Sequence, residues 1–494
     1  MGIVIKQSIK GTIYTYIGVF LGFITTGLLL PRLFATNEVG LLKLMVAYSG
    51  LFAQFGTLGI NGVAVRLFPF FYDEKEKHHG YLAVALFVGL AGFLLSTVTL
   101  LLIKPWLVGY SAEKSALFIH YLNYLIPLIF FQLFFYILDS YYAALMNSVA
   151  GTFLKEVVQR VLIILAIVLF YLDFLSFHQF IMAYIIAICL PTFNLLFTLI
   201  SVKQFSLKTD WKFLSTAMIG SMVSMSAFSI LNGFSGVIIQ SVDVIMIERM
   251  IDLSAVGIYS ICFFFGIMVS MPQRSITRIG NIVAAQAWKN NDMETLRQLY
   301  YKSCLTLFIL GSLLFLGLWL NIDNVFHMLT KEYSSGKWVI FFIALGCLID
   351  MTTGVNGSIL GTSRYFKVQT VFLISLVVLI IISNLILVPK YGITGAAIGN
   401  AISLTILNVL RFYYIKYKFD LQPFNMKFVY VILIGLATYV LISLLPRNHN
   451  YIIDLTVRGS LIVILFSLPV YYFKISEDIN LKVDEYLKKA GIKK

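Results

Sequence analysis

Long apolar segments recur along the whole sequence, and they constrain the fold more than any other feature. Fourteen of them are long enough to cross about 30 Å of hydrocarbon as helices. Their apolar residues do not alternate every second position, as they would in the strands of a membrane barrel. The fifth segment is short and the seventh is overlong. The sequence therefore predicts an all-α polytopic membrane protein with approximate spans at 11–31, 39–64, 81–103, 116–138, 157–172, 179–202, 213–247, 255–272, 300–321, 338–360, 368–388, 393–415, 426–445 and 452–473.

Composition supports a membrane protein. Hydrophobic residues make up 60% of the chain and charged residues only 12%, with a mean hydropathy of +0.90. A soluble domain is about half apolar and about a quarter charged, so a soluble core of this composition would leave large apolar surfaces in water. No cofactor or metal is expected. The cysteines lie far apart inside apolar runs and are predicted to be small buried residues; they are Cys189, Cys262, Cys304 and Cys347.

Basic residues are distributed unevenly between alternate loops. If the N-terminus is cytoplasmic, 27 of the 37 lysines and arginines fall on the cytoplasmic side. The positive-inside rule therefore predicts that both termini are cytoplasmic. The same bias accounts for the net charge of +14 without nucleic acid as a partner. The apolar run at 13–30 is longer than the core of a signal peptide, so we expect a retained first helix.

Two hairpins that lie 217 residues apart carry the same pattern. Arg32 precedes Gly40 by the same spacing as Arg249 precedes Gly257, which indicates that the second half of the chain repeats the first. An even number of helices in each half gives parallel repeats about an axis along the membrane normal. The predicted domains are two six-helix lobes around a central cavity (1–202 and 213–415), a linker (203–212), two further helices (416–473) and a basic cytoplasmic tail on anionic lipid (474–494).

Two segments resemble a known family. The run LLLPRLFATNEVGLLKLMVAYSGLFAQFGTLGINGVAVRLFPFF at 28–71 resembles the opening of the polysaccharide transporter family, and NLILVPKYGITGAAIG at 384–399 resembles its pattern before the twelfth helix. This family contains the Wzx-like O-antigen and capsule oligosaccharide flippases of the multidrug/oligosaccharidyl-lipid/polysaccharide exporter superfamily. The resemblance covers essentially the whole chain.

The resemblance carries several implications about function. It implies transfer of undecaprenyl-pyrophosphate-linked oligosaccharide to the outer leaflet of the bacterial cytoplasmic (inner) membrane, for surface polysaccharide biosynthesis. It also implies membrane lipids as partners, with polysaccharide polymerase and glycosyltransferases as further candidates. It implies a transporter and not an enzyme. The sugar repeat unit is left open.

Arginines are the candidates for holding the lipid pyrophosphate, because guanidinium makes paired hydrogen bonds to phosphate oxygens. Arg274 and Arg278 are four residues apart and would share a helix face after Pro272, which can kink the helix. The 217-residue offset relates Arg278 to Asn61, and Arg66 lies a little further along. We predict that these residues line the inner mouth of the cavity. The alternative is that the arginines are positive-inside anchors at the headgroups.

Two aspartates are candidates for ion coupling, because a carboxylate inside a membrane helix is costly unless it is paired or protonated. Asp243 is the first candidate, and a fixed salt bridge to an arginine is the alternative. Asp350 is the second, and a structural pair with a neighbouring helix is its alternative. The polar residues near Asp350 predict an interior polar face; they are Thr352, Thr353, Asn356 and Ser358.

The residues of the repeated hairpin are predicted to have structural roles at the outer side. Arg32 and Arg249 would snorkel to the headgroups from the hairpin turns. Gly40 and Gly257 would permit close helix packing.

Three classes of function remain open from the sequence. The first is the oligosaccharide flippase. The second is a cation-coupled drug exporter of the same superfamily, which would favour acidic residues where this chain has arginines. The third is a membrane polysaccharide polymerase or glycosyltransferase, which would need a catalytic carboxylate site or a large outer loop. The chain has no phosphate-cradling Gly-Lys-Ser/Thr loop, so ATP hydrolysis by a P-loop is excluded.

Overall fold

The computed structural model describes residues 2–111, 115–145, 147, 149–210 and 213–489. These residues form helices joined by short turns, with no β-strand among them. Thirteen helices in this part of the chain are long and apolar enough to cross a membrane. The predicted all-α polytopic fold is therefore confirmed.

The chain divides into two compact units, Met1–Ser260 and Ile261–Lys494. The helices of the first unit are α1 (Gly2–Gly22), α2 (Leu30–Leu33), α3 (Thr36–Gly56), α4 (Ile60–Phe71), α5 (Tyr81–Ser111), α6 (Ala116–Tyr121), α7 (Leu125–Ala144), α8 (Ala150–Phe153), α9 (Gln159–Tyr171), α10 (Phe177–Ser201) and α11 (Thr216–Met250), followed by α12 (Leu253–Ile267), which crosses the boundary. Those of the second unit are α13 (Met271–Lys289), α14 (Met293–Leu320), α15 (Ile322–Met328), α16 (Lys337–Thr352), α17 (Asn356–Thr362), α18 (Phe366–Tyr391), α19 (Ile393–Phe419), α20 (Met426–Ser443), α21 (Tyr451–Tyr472) and α22 (Glu477–Lys489). The predicted lobe boundaries at 1–202 and 213–415 stay a prediction.

The second predicted span is interrupted. Helix α3 ends at Gly56, and α4 starts at Ile60 after Leu58 and Gly59 adopt left-handed backbone angles (φ 47° and 76°). A side chain on Gly59 would overlap the carbonyl oxygen of Ser226 on α11. Glycine is therefore required here both by the backbone angle and by the close approach of α11.

The fifth predicted span, 157–172, is not among the thirteen spanning candidates. Its place is taken by a continuous helical stretch from α8 through a π-helical turn (Leu154–Val158) to the end of α9 at Tyr171. The N-terminal part of this stretch carries Glu156 and Arg160, which form an ion pair of 2.8 Å. The pair lies directly against Gly18 and Gly22 of α1, where added side chains would overlap it. These charges lower the hydropathy of the segment.

Helix α13 extends the eighth predicted span beyond Pro272. A 3₁₀ turn at Met268–Ser270 separates α12 from α13, and Pro272 lies in the first turn of α13. The predicted span 255–272 is thus the first part of a longer helical segment that continues to Lys289. Because residues 273–289 are helical, Arg274 and Arg278 lie about one turn apart on a helix, as their spacing predicts.

Each unit has its own apolar core. In the first unit, α3 packs on α7 and α11, and rings of α4, α5 and α7 meet at Phe68, Tyr81 and Tyr141. In the second unit, α16 and α18 pack on α19, while α14 carries the C-terminal pair α20 and α21. The short helix α17 packs between α13, α18 and α19. That position brings its polar residues next to those of its neighbours.

Candidate functional site

A cluster of hydrogen-bonded polar side chains lies in the second unit where α13, α16, α17 and α19 meet. The Asp350 carboxylate is at its centre: one oxygen accepts from Gln273 Nε2 (2.7 Å) and the other from Asn408 Nδ2 (2.8 Å). The Asn408 carbonyl oxygen in turn accepts from Thr353 Oγ1 (2.9 Å) and Asn356 Nδ2 (3.1 Å). We call these five residues the Asp350 cluster. It joins four helices through polar contacts, which is the usual arrangement around an ionisable group inside a membrane protein.

A break in the helix backbone makes this cluster possible. Helix α16 ends at Thr352, and α17 begins at Asn356 after Gly354 adopts a left-handed angle (φ 63°). A side chain on Gly354 would lie 2.8 Å from the backbone nitrogen of Cys304 on α14. The chain therefore turns tightly against α14 and directs Thr353 and Asn356 towards Asn408.

Arg274 and Arg278 lie on the accessible side of α13. Arg274 is exposed and Arg278 is half-buried, whereas Gly280 on the same helix packs against Val355. The Trp288 indole N–H donates to the Ile359 carbonyl (2.9 Å) and holds α13 on α17. Within the described part of the chain, neither arginine forms an ion pair.

Arg411 is a site residue that the sequence analysis missed. It lies on α19 one turn after Asn408 and is only 7% exposed. It lies inside the predicted span 393–415 and is counted only among the basic residues of the cytoplasmic side. The sequence does contain a signal for it, because polar residues recur at helical spacing along α19. The structure buries all of them; they are Asn400, Ser403, Asn408 and Arg411.

In the first unit, Asp243 is almost completely buried on α11 (3% exposed). Its carboxylate accepts a short hydrogen bond of 2.6 Å from the hydroxyl of Tyr259 on α12. This contact links the two helices of the second copy of the repeated hairpin. A hydrogen bond to a buried carboxylate is among the stronger neutral-to-charged contacts in proteins.

The two repeated arginines have different environments. Arg32 is exposed, as expected for a side chain that reaches the headgroups. Arg249 is buried: its Nε lies 3.4 Å from the Glu248 carboxylate and its guanidinium lies over the Trp106 ring at 4.4 Å. The snorkelling interpretation therefore does not describe Arg249, because the residue lies in the last turn of α11, where protein surrounds it.

The two repeated glycines meet each other. A side chain on Gly40 would overlap the Leu253 carbonyl oxygen, and one on Gly257 would overlap the Thr36 carbonyl oxygen. The offset of 217 residues that relates Gly40 to Gly257 also relates Thr36 to Leu253. The contact is thus symmetric under the sequence repeat, and it brings the starts of α3 and α12 into direct backbone contact.

The remaining predicted binding residues lie on α4. Asn61 is half-buried and Arg66 is exposed, with its Nη1 3.9 Å from the Met225 sulfur. These two residues belong to the first unit, whereas Arg274 and Arg278 belong to the second. Their common placement at one cavity mouth stays a prediction.

A second polar site lies near α15 and the turn between α20 and α21. Here Arg458 and Asp454 form a buried ion pair of 2.9 Å, and a cavity of about 300 Å³ opens beside them. Asp323 at its rim pairs with Lys337 at 3.1 Å and with Arg447. Partial burial raises the pKa of the Asp323 carboxyl, but hydrogen bonds and charge from Lys337 and Arg447 outweigh burial and hold the pKa below its usual range.

The fold is shared with solved membrane transporters. The lipid II flippase MurJ in an inward closed conformation superposes with a TM-score of 0.73 at 14% identity, covering 95% of this chain and 100% of that chain. An inward-facing multidrug resistance MATE family transporter gives 0.63 at 15% identity, covering 82% and 94%. A transporter from Pyrococcus furiosus gives 0.55 at 14% identity, covering 84% and 96%. This chain therefore shares its fold with these three transporters.

The family follows from the sequence match. Residues 5–284 match the family described as polysaccharide biosynthesis protein, and the chain belongs to that family. An uncharacterized membrane protein of Methanocaldococcus jannaschii is 21% identical over 497 residues, which cover 95% of this chain and 96% of that protein. The family resemblance stated from the two sequence segments is therefore confirmed.

Proposed function

We propose that this protein is a flippase that moves undecaprenyl-pyrophosphate-linked oligosaccharide from the inner to the outer leaflet of the bacterial cytoplasmic membrane by alternating access. The polysaccharide biosynthesis family supports this substrate class. Glycosyltransferases would supply the lipid-linked substrate and a polymerase would consume it. The energy would come from an ion gradient or from substrate flux and not from ATP.

The cationic face of α13 carries this proposal. Arg274 and Arg278 lie about one turn apart on a helix that packs through its small residues, and both side chains remain accessible. An accessible pair of guanidinium groups on a membrane helix is costly unless it faces water or an anion. A pyrophosphate that enters from the lipid is a polyanion of the right chemistry, because guanidinium binds phosphate oxygens in pairs.

A cation-coupled drug exporter is supported less well by the same region. Such a protein needs carboxylates that can accept a cationic substrate. Both oxygens of Asp350 already accept hydrogen bonds from amide groups, and Asp243 accepts one from Tyr259. The accessible charges on α13 are positive.

The test is a flipping assay on the full chain in proteoliposomes. The probe is a fluorescent undecaprenyl-pyrophosphate-linked chitobiose, and an impermeant reductant reports how much probe has reached the outer leaflet. Arg274→Lys and Arg278→Lys keep the charge but lose the paired geometry. We expect each to slow flipping about tenfold, since a hydrogen bond to a charged group contributes about 1.5 kcal/mol.

The matched control is Arg297→Lys. Arg297 is an exposed arginine of α14 that pairs with Glu294, so loss of its geometry should leave the rate unchanged. A wild-type rate equal to that of protein-free liposomes would refute the flippase proposal. Normal rates in both lysine variants would show that the arginines act only as positive-inside anchors.

A further inference from the structure

The Arg411 guanidinium is buried without an ion-pair partner among the described residues. Its Nε atom has no hydrogen-bond partner among the described residues. No carboxylate in the described part of the chain lies close enough to pair with it. Arginine cannot shed its proton in a protein, so it remains a cation whose desolvation no ion pair offsets. Such a group in a native structure calls for an explanation, and a bound anion is one.

Asp350 does not fill this role. It attracts Arg411 through space, but both of its oxygens are already taken by the amide groups of Gln273 and Asn408. The same contacts fix α13 and α19 relative to α16. Arg411, which follows Asn408 by one turn, is therefore held in place beside the cluster without being neutralised by it.

Two glycines of α17 lie next to this guanidinium or to its neighbour Gln369. Gly357 and Gly361 are four residues apart on α17 and partly accessible, so this helix presents a face without side chains. A methyl group on Gly357 would lie 3.8 Å from Arg411 Cζ and Nη1 and 3.5 Å from Gln369 Nε2. One on Gly361 would lie 3.8 Å from Gln369 Cγ. Gln369 also has an unpartnered atom, Oε1, among the described residues.

We propose that Arg411 and Gln369 form an anion subsite over Gly357 and Gly361 that binds the pyrophosphate of the lipid-linked substrate. This inference rests on the proposed flippase function and adds a binding group that the arginines of α13 do not supply. Arg411 offers Nε and Nη donors to two phosphate oxygens, and Gln369 offers its amide N–H. The face of α17 that carries Gly357 and Gly361 has no side chains, which lets the phosphate approach the helix closely. Helix α13 packs on the same short helix.

Thermal unfolding of the full chain in detergent tests the subsite. The probes are inorganic pyrophosphate, farnesyl pyrophosphate and, as a control anion, sulfate. We expect both pyrophosphates to raise the wild-type melting temperature, because a ligand that binds only the folded state stabilises it. Arg411→Gln should melt higher than wild type without ligand, because the uncompensated charge is gone, and should lose the ligand-dependent rise.

Arg411→Lys decides the case if the glutamine variant fails to fold. It keeps the charge, and we expect about tenfold weaker pyrophosphate binding because the paired geometry is lost. The control variant is Arg364→Lys, since Arg364 is exposed beside Tyr365 and near the same helices. It should bind as wild type. Gly357→Ala should also weaken binding, whereas Gly317→Ala on α14, which meets no neighbours, should not.

Three results would overturn the subsite. They are an absence of pyrophosphate stabilisation in the wild type, undiminished stabilisation in Arg411→Lys, or a stabilisation that sulfate reproduces. A rise with farnesyl pyrophosphate alone assigns the site to the lipid-linked substrate, and a rise with inorganic pyrophosphate alone refutes that assignment. The flipping assay separates the two proposals. A wild-type protein that binds pyrophosphate but does not flip the lipid-linked probe refutes only the flippase function. Normal pyrophosphate binding and normal flipping by Arg411→Lys refute only the subsite.

Discussion

Arg458 and Arg411 are both buried arginines of the second unit, yet their surroundings differ completely. Arg458 Nε donates to Asp454, Nη1 donates to the Ile442 carbonyl (3.1 Å), and Nη2 donates to the carbonyls of Leu445 (2.8 Å) and Pro446 (3.1 Å). Arg411 has no such contacts among the described residues. The first arginine is saturated by the protein, whereas the second has donors left for a ligand.

This difference distinguishes an arginine that stabilises the fold from one that is available to bind a ligand. Asp454 also accepts from Asn324 Nδ2 (2.7 Å) and from the Asn448 backbone N–H (2.9 Å), so the whole pair is satisfied. The pair ties the turn between α20 and α21 to α15. A satisfied buried network rigidifies the fold, and an unsatisfied buried group is the place where function is to be sought.

The largest expected effect concerns the side of the membrane on which each arginine lies. The distribution of basic residues predicts that the α19 end with Arg411 is cytoplasmic and that the turn with Arg458 is external. Single cysteines in place of His79 or Asn290 should be inaccessible to an impermeant thiol reagent in intact cells, whereas one in place of Ser334 should react. Labelling at position 79 with none at 334 would invert the topology and with it the assignment of both sites.

Removal of one partner of the saturated pair should destabilise the protein strongly. Arg458→Leu leaves Asp454 buried without its counter-charge, and we expect a loss of about 3–5 kcal/mol in unfolding free energy. Chemical denaturation in mild detergent measures it. The matched change Arg411→Leu should not destabilise the protein, because no carboxylate loses a partner. Equal destabilisation by both variants would erase the distinction between the two arginines.

Asp243 extends the comparison of Arg411 with Arg458 to a buried carboxylate. This residue has both a structural partner, Tyr259, and a predicted coupling role. Tyr259→Phe removes its 2.6 Å hydrogen bond and should cost about 1.5–3 kcal/mol of stability. Asp243→Asn keeps the shape of the side chain and should slow flipping in proteoliposomes while the protein remains folded. A normal flipping rate in Asp243→Asn would remove the coupling role and leave a structural hydrogen bond.

The smallest expected effect is the contribution of Asp323, at the rim of the Arg458 site, to the pH dependence of stability. The lowered pKa of Asp323 means that its interactions with Lys337 and Arg447 stabilise the folded state above the ordinary carboxyl pKa. This contribution is lost as the pH falls through the lowered value. Because the side chain is about one-third exposed, screening keeps the effect below about 1 kcal/mol. Asp323→Asn should remove that part of the acid dependence of the melting temperature; an unchanged acid profile would contradict it.

Much of the architecture follows from the sequence. Within the part of the chain that the structure describes, thirteen helical spans lie where apolar segments predict them. The hairpin repeat that relates Gly40 to Gly257 also describes the contact between these two glycines. The fifth predicted span, 157–172, is helical but is not among them, and the ion pair of Glu156 and Arg160 lies within its helical stretch.

The sequence by itself determined the membrane class, the repeat and the family, because these depend on sums over long segments and on spacings that any conformation preserves. Only the tertiary structure decided which charges are satisfied. Arg32 and Arg249 occupy equivalent positions of the repeat, yet one is exposed and the other is buried against Trp106. Arg411 and Arg458 are likewise alike in sequence character and opposite in surroundings. The environment of a charge depends on donors and acceptors from helices far away in the chain, and no local pattern contains them.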